Sequence, residues 1–321
     1  MERPFQLYYP VHTMHGEELL PAGTCLTDGV MADLVNTAKA RQFPVMPLMD
    51  YGTFAVDLRN CVERPPYSHI FSNPARKREV FESLKQVVFP KPLLDIYGFL
   101  QANDPYTYRH ILTVCALARL LAQDLLVERK DITRELTASA NHDIGKICVP
   151  SSIRNSSVAL NTPQRMHLSH HTAAGYVLLS YYLQDSAHPA AITARDHHER
   201  YDGSGYPRGV PLRDMVVEIV AVCDIFDALI SPRPYRPTSF DVRTAMEELT
   251  SQAQRGSVSV DVVRALVSCI RKDQPPYTDC TLSLEFRGTP PANNMYSGAM
   301  PYRPGTAGDS AAPVRQLVVT H

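Results

Sequence analysis

Apolar residues recur between residues 96 and 271 at the three- and four-residue spacing that is typical of buried helical faces. The strongest run has Ile111, Val114, Cys115, Ala118, Leu121 and Ala122 on one side. The pattern predicts seven helices, over Tyr106–Leu126, from Asp131 to about Gly145, Thr162–Gln184, Pro189–Glu199, Met215–Ile230, Ser239–Gln254 and Ser259–Arg271. We therefore expect an all-helical domain over residues 96–273.

The pattern differs on either side of this domain. Within residues 1–95, the short apolar runs Phe5–Tyr9, Val45–Leu48 and Phe54–Leu58 predict strands, and Asp28–Lys39 predicts a helix capped by Asp28. This part is expected to be a small α+β domain with a regulatory role. Residues 274–321 are proline-rich with little periodicity, which predicts a flexible tail. The predicted fold class is mainly α.

Charge and hydropathy exclude several classes of protein. Lys and Arg number 32 against 33 Asp and Glu, so there is no strong field that would favour a nucleic acid polymer. No stretch approaches the roughly 18 apolar residues of a membrane span. The first residues lack the apolar core of a secretory signal, and the seven cysteines form no C-x-x-C pair. These features predict a cytoplasmic protein with reduced cysteines and no membrane partner.

The adjacent residues His142 and Asp143, at the end of an apolar helix, are the first candidates for chemistry. An isolated His-Asp pair is more often a helix cap beside an exposed imidazole. Further metal-ligand residue types alter that interpretation, namely His110 within a helix, His197 and His198 at a helix end, and Asp224 in a strongly apolar run. Burying an unpaired carboxylate costs several kcal/mol, so Asp224 needs a cation or a strong donor.

Four helices that each deliver His or Asp to one point can build a dinuclear metal site. Imidazole and carboxylate without thiolate suit iron, manganese or zinc. Two such ions can clamp a phosphate and generate hydroxide near neutral pH. The sequence therefore predicts phosphoester hydrolysis.

Two motifs resemble those of the HD-GYP family, a branch of the HD phosphohydrolases. They are His142-Asp143-Ile144-Gly145-Lys146 and His197-His198-Glu199-Arg200-Tyr201-Asp202-Gly203-Ser204-Gly205-Tyr206-Pro207. The blocks Asp224–Leu229 and Arg233–Arg236 follow in the family's order, so the resemblance runs from Asp104 to Arg271. It implies a helical domain with two or three metal ions that hydrolyses the bacterial second messenger cyclic di-GMP.

The resemblance also implies roles for single residues. Metal ligation falls to His110, His142, Asp143, His171, His197, His198 and Asp224. Asp143 would bridge the ions and Lys146 would contact a substrate phosphate, which makes both catalytic, while Tyr206, Arg233 and Arg236 would hold the dinucleotide. Family spacing selects His171 over its neighbour His170. Tyr106 stands where three-metal members carry Glu, so two divalent ions, iron or manganese, are expected.

The sequence is compatible with more than one role for some residues. Asp227 is either a carboxylate that orients a ligand histidine or a helix-surface acid, and Glu199 is either a support or a solvated helix end. The loop after Pro150 departs from the family pattern, which puts its substrate contacts in question. The expected product is pGpG, with GMP after a second turnover. The alternatives to this activity are hydrolysis of cyclic GMP-AMP and a catalytically silent sensor or adaptor. A GGDEF-type cyclase is a candidate partner at the GYP surface, and a homodimer stays open.

Overall fold

The computed structural model describes residues 5–126, 132–232, 238–283 and 285–291, without the side chains of 132–136. The fold is mainly helical, as predicted. The helices in these residues are α1 Asp28–Lys39, α2 Phe54–Val62, α3 Tyr67–Ile70, α4 Pro74–Leu84, α5 Lys91–Asn103, α6 Pro105–Leu125, α7 Ile132–Asn141, α8 Ser151–Arg154, α9 Thr162–Ser169, α10 His171–Leu183, α11 Pro189–Asp196, α12 Met215–Ile230, α13 Val242–Gln254 and α14 Val260–Ile270. Two antiparallel two-stranded sheets pair β1 Val11–His12 with β2 Glu18–Leu20, and β3 Val45–Pro47 with β4 Val88–Pro90.

Helices α6, α10 and α12 are largely buried. Almost every residue of α10 and α12 is buried, as expected for helices that are apolar on all sides. Helix α6 begins at Pro105, and the Asp104 carboxylate caps it by accepting a hydrogen bond from the backbone N–H of Thr107 at 3.0 Å. Helices α7 and α11 pack together, and α11 also packs on α10. This arrangement brings helix ends from distant parts of the chain to one place.

The N-terminal part corrects three predictions. Phe54–Leu58 is helix α2 rather than a strand, because the buried residues Phe54, Leu58 and Val62 recur every four residues while Val56 is 61% exposed. Phe5–Tyr9 contains only an isolated bridge from Gln6 to Cys25. Helix α1 has the predicted bounds, but its cap is the Thr27 hydroxyl, which accepts from the Val30 N–H, with Asp28 in the first turn. The strand predicted over residues 45–48 is confirmed as β3.

The hydrophobic core is continuous from the N-terminal part into the helical part. Leu7, Leu58 and Val80 belong to the same buried cluster as Val114 and Phe226. The boundary predicted after residue 95 falls inside α5, and the division into domains stays a prediction. Two further predicted features lie partly or wholly outside the description. The predicted N-cap Asp131 lies outside the described residues. Of the predicted flexible tail, residues 274–291 are described except 284. In this part Cys280 is buried, and the backbone N–H groups of residues 287 and 288 donate to the Glu247 carboxylate.

Two observations bear on the excluded classes. Within the described ranges, no helix has the length and apolar character needed to cross a bilayer. All seven cysteines are free thiols, four of them buried. The prediction of reduced cysteines agrees with this arrangement.

Candidate metal centre

Five chain segments deliver the predicted ligands to one buried site. His110 lies in α6, His142 and Asp143 follow α7, and Asp224 lies in α12. His171 is the first residue of α10, and His197 and His198 follow α11. The side chains form two groups of three, in each of which the ligand atoms lie within 4.8 Å of one another. One group is His110, His142 and Asp224, and the other is His171, His197 and His198.

The Asp143 carboxylate lies between the two groups. Its Oδ2 is 3.4 Å from Nε2 of His110 and 3.5 Å from Nε2 of His142. Its Oδ1 is 3.4 Å from Nε2 of His171 and 3.9 Å from Nε2 of His197. Each oxygen therefore faces a different group, which is the geometry that a carboxylate bridging two cations needs.

Hydrogen bonds at Nδ1 fix the orientation of the imidazoles. Nδ1 of His142 lies 2.8 Å from the Ser139 carbonyl, and Nδ1 of His171 lies 2.7 Å from the Leu168 carbonyl. Nδ1 of His197 lies 3.1 Å from the carbonyls of residues 193 and 194. A carbonyl oxygen can only accept, so Nδ1 carries the proton and Nε2 presents a lone pair. This is the tautomer that a metal-binding imidazole needs.

The arrangement of lone pairs tests whether the site fits metal ions. Nε2 of His171 faces Nε2 of His197 at 3.3 Å, and neither nitrogen carries a proton in this tautomer. Two lone pairs at this distance repel unless a cation lies between them. Asp143 and Asp224 supply negative charge, and no cysteine belongs to either group. The residues present therefore fit divalent ions held by nitrogen and oxygen.

Burial sets the protonation of the second group. It lowers the pKa of His171 to about 3 and that of His197 to about 4, and it holds the pKa of His198 well below its usual range. These imidazoles are neutral at pH 7. His110 behaves differently, because hydrogen bonds with Asp224 and Asp227 outweigh the effect of burial and raise its pKa. Cation binding beside His110 therefore competes with the proton that these two carboxylates favour.

We expect the chelator-treated protein to lose stability as the pH falls. The pKa values of His142, His171, His197 and His198 are lowered in the folded state, so the unfolded chain binds more protons below its ordinary histidine pKa of about 6.5. His110, whose pKa is raised, opposes this effect. The free energy of unfolding should fall by at least about 1 kcal/mol per pH unit from pH ~6.5 towards ~4, measured by urea denaturation. A flat or rising profile would contradict the assigned protonation states.

Asp227 fixes the orientation of the His110 ring through a hydrogen bond at Nδ1, on the side of the ring away from the ligand atom Nε2. Its Oδ2 accepts from Nδ1 of His110 at 2.6 Å, and its Oδ1 accepts from the hydroxyls of Tyr67, Thr113 and Ser231. Asp227 is fully buried, and despite burial these donors and the charge of Arg109 keep its pKa below the usual range. Of the two interpretations left open, the structure favours the carboxylate that orients a ligand histidine.

Asp227→Asn is expected to weaken metal binding by about 10- to 100-fold, the usual cost of losing such a support. The amide keeps the shape of the side chain but removes the charge that holds His110. Competition with a chromophoric chelator measures the affinity, and thermal unfolding verifies the fold. Ser231→Ala, which removes one donor to Oδ1 and leaves the contact with His110, is the matched control. Equal affinities for the two variants would argue against this role.

Lys146 and the loop after Pro150 are fixed to the same site. The Lys146 ammonium lies 2.5 Å from Oδ2 of Asp143 and is one of the groups that lower the pKa of this carboxylate, against the effect of its burial. The loop after Pro150, whose sequence differs from the family pattern, forms the short helix α8. There Nε of Arg154 forms an ion pair with Oδ2 of Asp104 at 2.8 Å. Arg154 also donates to the Lys146 carbonyl at 2.9 Å. The loop therefore anchors the segment that carries Lys146.

The turn at residues 203–210 closes one side of the site. The Tyr206 ring stacks on His198, with centroids 4.6 Å apart and planes at 19°. Glu199 is buried and accepts from the N–H groups of residues 208, 209 and 210. It is therefore neither a solvated helix end nor a group that orients a histidine; it holds the turn in place.

The junction of α9 and α10 corrects another prediction. Thr162–Gln184 is two helices that meet at His170, rather than one. The Tyr9 ring stacks on His167 with centroids 3.6 Å apart, and its edge meets the His170 ring at 5.5 Å. His170 is buried against Tyr9 and belongs to neither ligand group, whereas His171 does. The N-terminal segment thus packs directly behind the helix that begins with His171.

Two predicted substrate-binding arginines fall outside the described residues, and three supporting residues were not predicted. Arg233 and Arg236 lie outside the described residues. Tyr67, Thr113 and Arg154 support the site but were not predicted. Tyr67 lies 160 positions from Asp227, so no local pattern could indicate their contact.

Comparison with known proteins places this site in a family. The sequence model of the HD domain matches residues 96–259, about half of the chain. The chain therefore belongs to the HD domain family. A cyclic di-GMP phosphodiesterase of Pseudomonas aeruginosa is 34% identical over 56% of this chain and 43% of its own length. A cyclic di-GMP phosphodiesterase of Thermotoga maritima is 35% identical over 49% of this chain and 43% of its own length.

A further relative has a different named substrate. A 3'3'-cGAMP-specific phosphodiesterase of Vibrio cholerae is 29% identical over 52% of this chain and 39% of its own length. The chain spans less than half the length of each of these three relatives. Together with the HD domain match, these relatives confirm the recognition of the HD-GYP family.

Proposed function

We propose that the chain is a cyclic di-GMP phosphodiesterase that uses two divalent cations, iron or manganese, and releases pGpG. The observation that carries the proposal is the division of the Asp143 oxygens between the two ligand groups. The two phosphodiesterase relatives named for cyclic di-GMP support the substrate. As in the sequence-based expectation, the proposed location is the cytoplasm.

The protein's own residues would orient the substrate. When bound, the two cations would supply Lewis acidity and an activated water. The Lys146 ammonium, 14% exposed beside Asp143, is placed to neutralise charge on a non-bridging phosphate oxygen. The Tyr206 ring presents a flat surface next to His198 against which a base can stack. Neutral His171, His197 and His198 keep their lone pairs available for the cations.

A hydrolysis assay tests the proposal. Purified protein is stripped of metal, reloaded anaerobically with Fe²⁺ or Mn²⁺, and incubated with cyclic di-GMP, and the products are separated by chromatography. We expect two metal ions per chain and linear pGpG as the first product, with GMP appearing only later. A protein that binds two ions yet leaves cyclic di-GMP intact would contradict the activity and favour a silent sensor or adaptor.

Cyclic GMP-AMP is a second candidate substrate. The Vibrio cholerae relative named for 3'3'-cGAMP is the observation that favours it. Parallel assays with both dinucleotides at equal concentration decide between them by the ratio of kcat/KM. A ratio above tenfold in favour of cyclic GMP-AMP would reassign the substrate and leave the metal centre unchanged.

Docking of a GGDEF-type cyclase on the turn at residues 203–210 and formation of a homodimer stay predictions from the resemblance. Size-exclusion chromatography with light scattering, alone and with a cyclase domain, measures both.

A further inference from the structure

A cleft of about 560 Å³ lies behind the metal centre, on the far side of Asp227. Its described walls come from α2, from residues 64–67, from α6, from the end of α12 with Ser231 and Pro232, and from Ser239. None of the residues lining it belongs to either ligand group. The cleft is therefore a separate feature at the contact between the N-terminal part and the HD domain.

Arg109 supplies an unmatched donor in this cleft. Its Nη2 is buried and has no hydrogen-bond partner within the described part of the chain. Its Nη1 is 3.9 Å from Oδ1 of Asp227, too far for a hydrogen bond, and that oxygen already accepts from three hydroxyls. Leaving a buried donor of a charged group unpaired costs free energy. The Arg109 side chain is 35% exposed, so its guanidinium can turn towards the cleft and donate from Nη2 to a ligand oxygen, which would remove that cost.

Arg64 adds a second guanidinium on another wall. Its side chain is exposed, and among the described residues no hydrogen bond or ion pair involves it. Among the described lining residues the only carboxylate is Asp57, whose Oδ2 accepts from Thr53, Gln101 and Tyr108. Two arginines against one aspartate give the described part of the lining an excess positive charge.

The remaining lining sets the kind of ligand. Leu112, Ile230 and Pro232 form an apolar wall of the cleft. The volume falls within the roughly 300 to 1,000 Å³ that is usual for small-molecule sites. Guanidinium groups bind phosphate through paired hydrogen bonds. Two guanidinium groups carry two positive charges, so a ligand with a doubly charged phosphate matches them better than a ligand with a single carboxylate.

We propose that this cleft binds a small molecule that carries a phosphate monoester, of about the size of a mononucleotide. Its phosphate contacts Arg109 and Arg64, and its body lies against the apolar wall. Arg109 links the cleft to the metal centre, because the Asp227 carboxylate near its guanidinium also holds His110. The site does not depend on the proposed hydrolysis of cyclic di-GMP.

Isothermal titration calorimetry on the whole, chelator-treated chain tests the proposal. The probes are adenosine monophosphate, which is not a product of the proposed reaction, and inorganic phosphate. Removing the cations prevents them from attracting phosphate to the metal centre. We expect saturable binding of one adenosine monophosphate per chain and weaker binding of inorganic phosphate, which lacks the apolar body.

Variants locate the binding. Arg64→Ala and Arg109→Gln should each weaken it about tenfold or more, the effect of losing a charge-assisted hydrogen bond. Arg78→Ala, which removes an exposed arginine of α4, is the matched control and should bind normally. The double variant His142→Ala/Asp143→Ala should also bind normally, since it alters only the metal centre.

Three outcomes would overturn the proposal. They are the absence of saturable binding of both probes, binding that Arg64→Ala leaves unchanged, and binding that disappears in the double variant. Arg64 is exposed, so its variant stays informative even if Arg109→Gln fails to fold.

Discussion

His142→Ala/Asp143→Ala is expected to abolish phosphodiesterase turnover and to reduce the bound metal from two ions to less than one per chain. His142 supplies one member of the first ligand group, and the two oxygens of Asp143 face different groups. Their joint loss removes a bridge and leaves Lys146 without its closest acidic neighbour. Metal analysis and the chromatographic assay measure the two effects separately.

The fold should survive this change. Both side chains lie among the other ligand residues of the site, and neither residue belongs to the hydrophobic core cluster. Circular dichroism and a cooperative thermal transition provide the check. His15→Ala/Asp33→Ala, which removes the same residue types from exposed positions, is the matched control and should keep full metal content. A double variant with normal turnover would remove the basis for the proposed function.

Gly145→Ala is expected to destabilise the protein by about 3 kcal/mol or more and to separate the two ligand groups. A Cβ at residue 145 would lie 2.0 Å from the carbonyl oxygen of His171 and 2.4 Å from the backbone nitrogen of Gly175. Both are backbone atoms of α10 and cannot rotate away. The segment that carries Asp143 and Lys146 must therefore move away from the helix that begins with His171.

Urea denaturation and metal titration measure the two consequences of this substitution. Gly29→Ala is the matched control, because the added Cβ would approach nothing closer than 3.9 Å inside α1. There the lower helix propensity of glycine predicts a gain of about 0.5 to 1 kcal/mol. If Gly145→Ala bound two ions with normal stability, the close packing of this segment on α10 would not be needed for the site.

Local patterns predicted those elements whose signals are local. The bounds of α1 and α12 are correct, because a run of consistent periodicity ends at clear polar residues in each case. The metal centre was also within reach, since a carboxylate such as Asp224 in an apolar run requires a partner. Its ligand set as a whole needed the family resemblance, because His171 has no distinguishing local signal beside His167 and His170.

The failures have a common physical cause in long-range packing. Phe54, Val56 and Leu58 fit a two-residue alternation as well as a helix, and only the partners that bury Phe54 and Leu58 decide between them. The break at His170 occurs where Tyr9 packs, more than 150 positions earlier in the chain. The donors Tyr67 and Thr113 reach Asp227 through tertiary contacts that leave no periodic trace.

The stacking of Tyr9 on His167 connects the N-terminal segment with the cation site beside His171. His167 is in the last turn of α9, and Nδ1 of His171 is held by the carbonyl of the next residue, Leu168. We expect detachment of the N-terminal segment that carries Tyr9 to be coupled to loss of the cation beside His171. Because linkage is reciprocal, the factor by which detachment of this segment lowers cation affinity equals the factor by which bound cations disfavour its detachment. Metal loading would thus be read out at the N-terminus as increased protection from proteolysis or amide exchange.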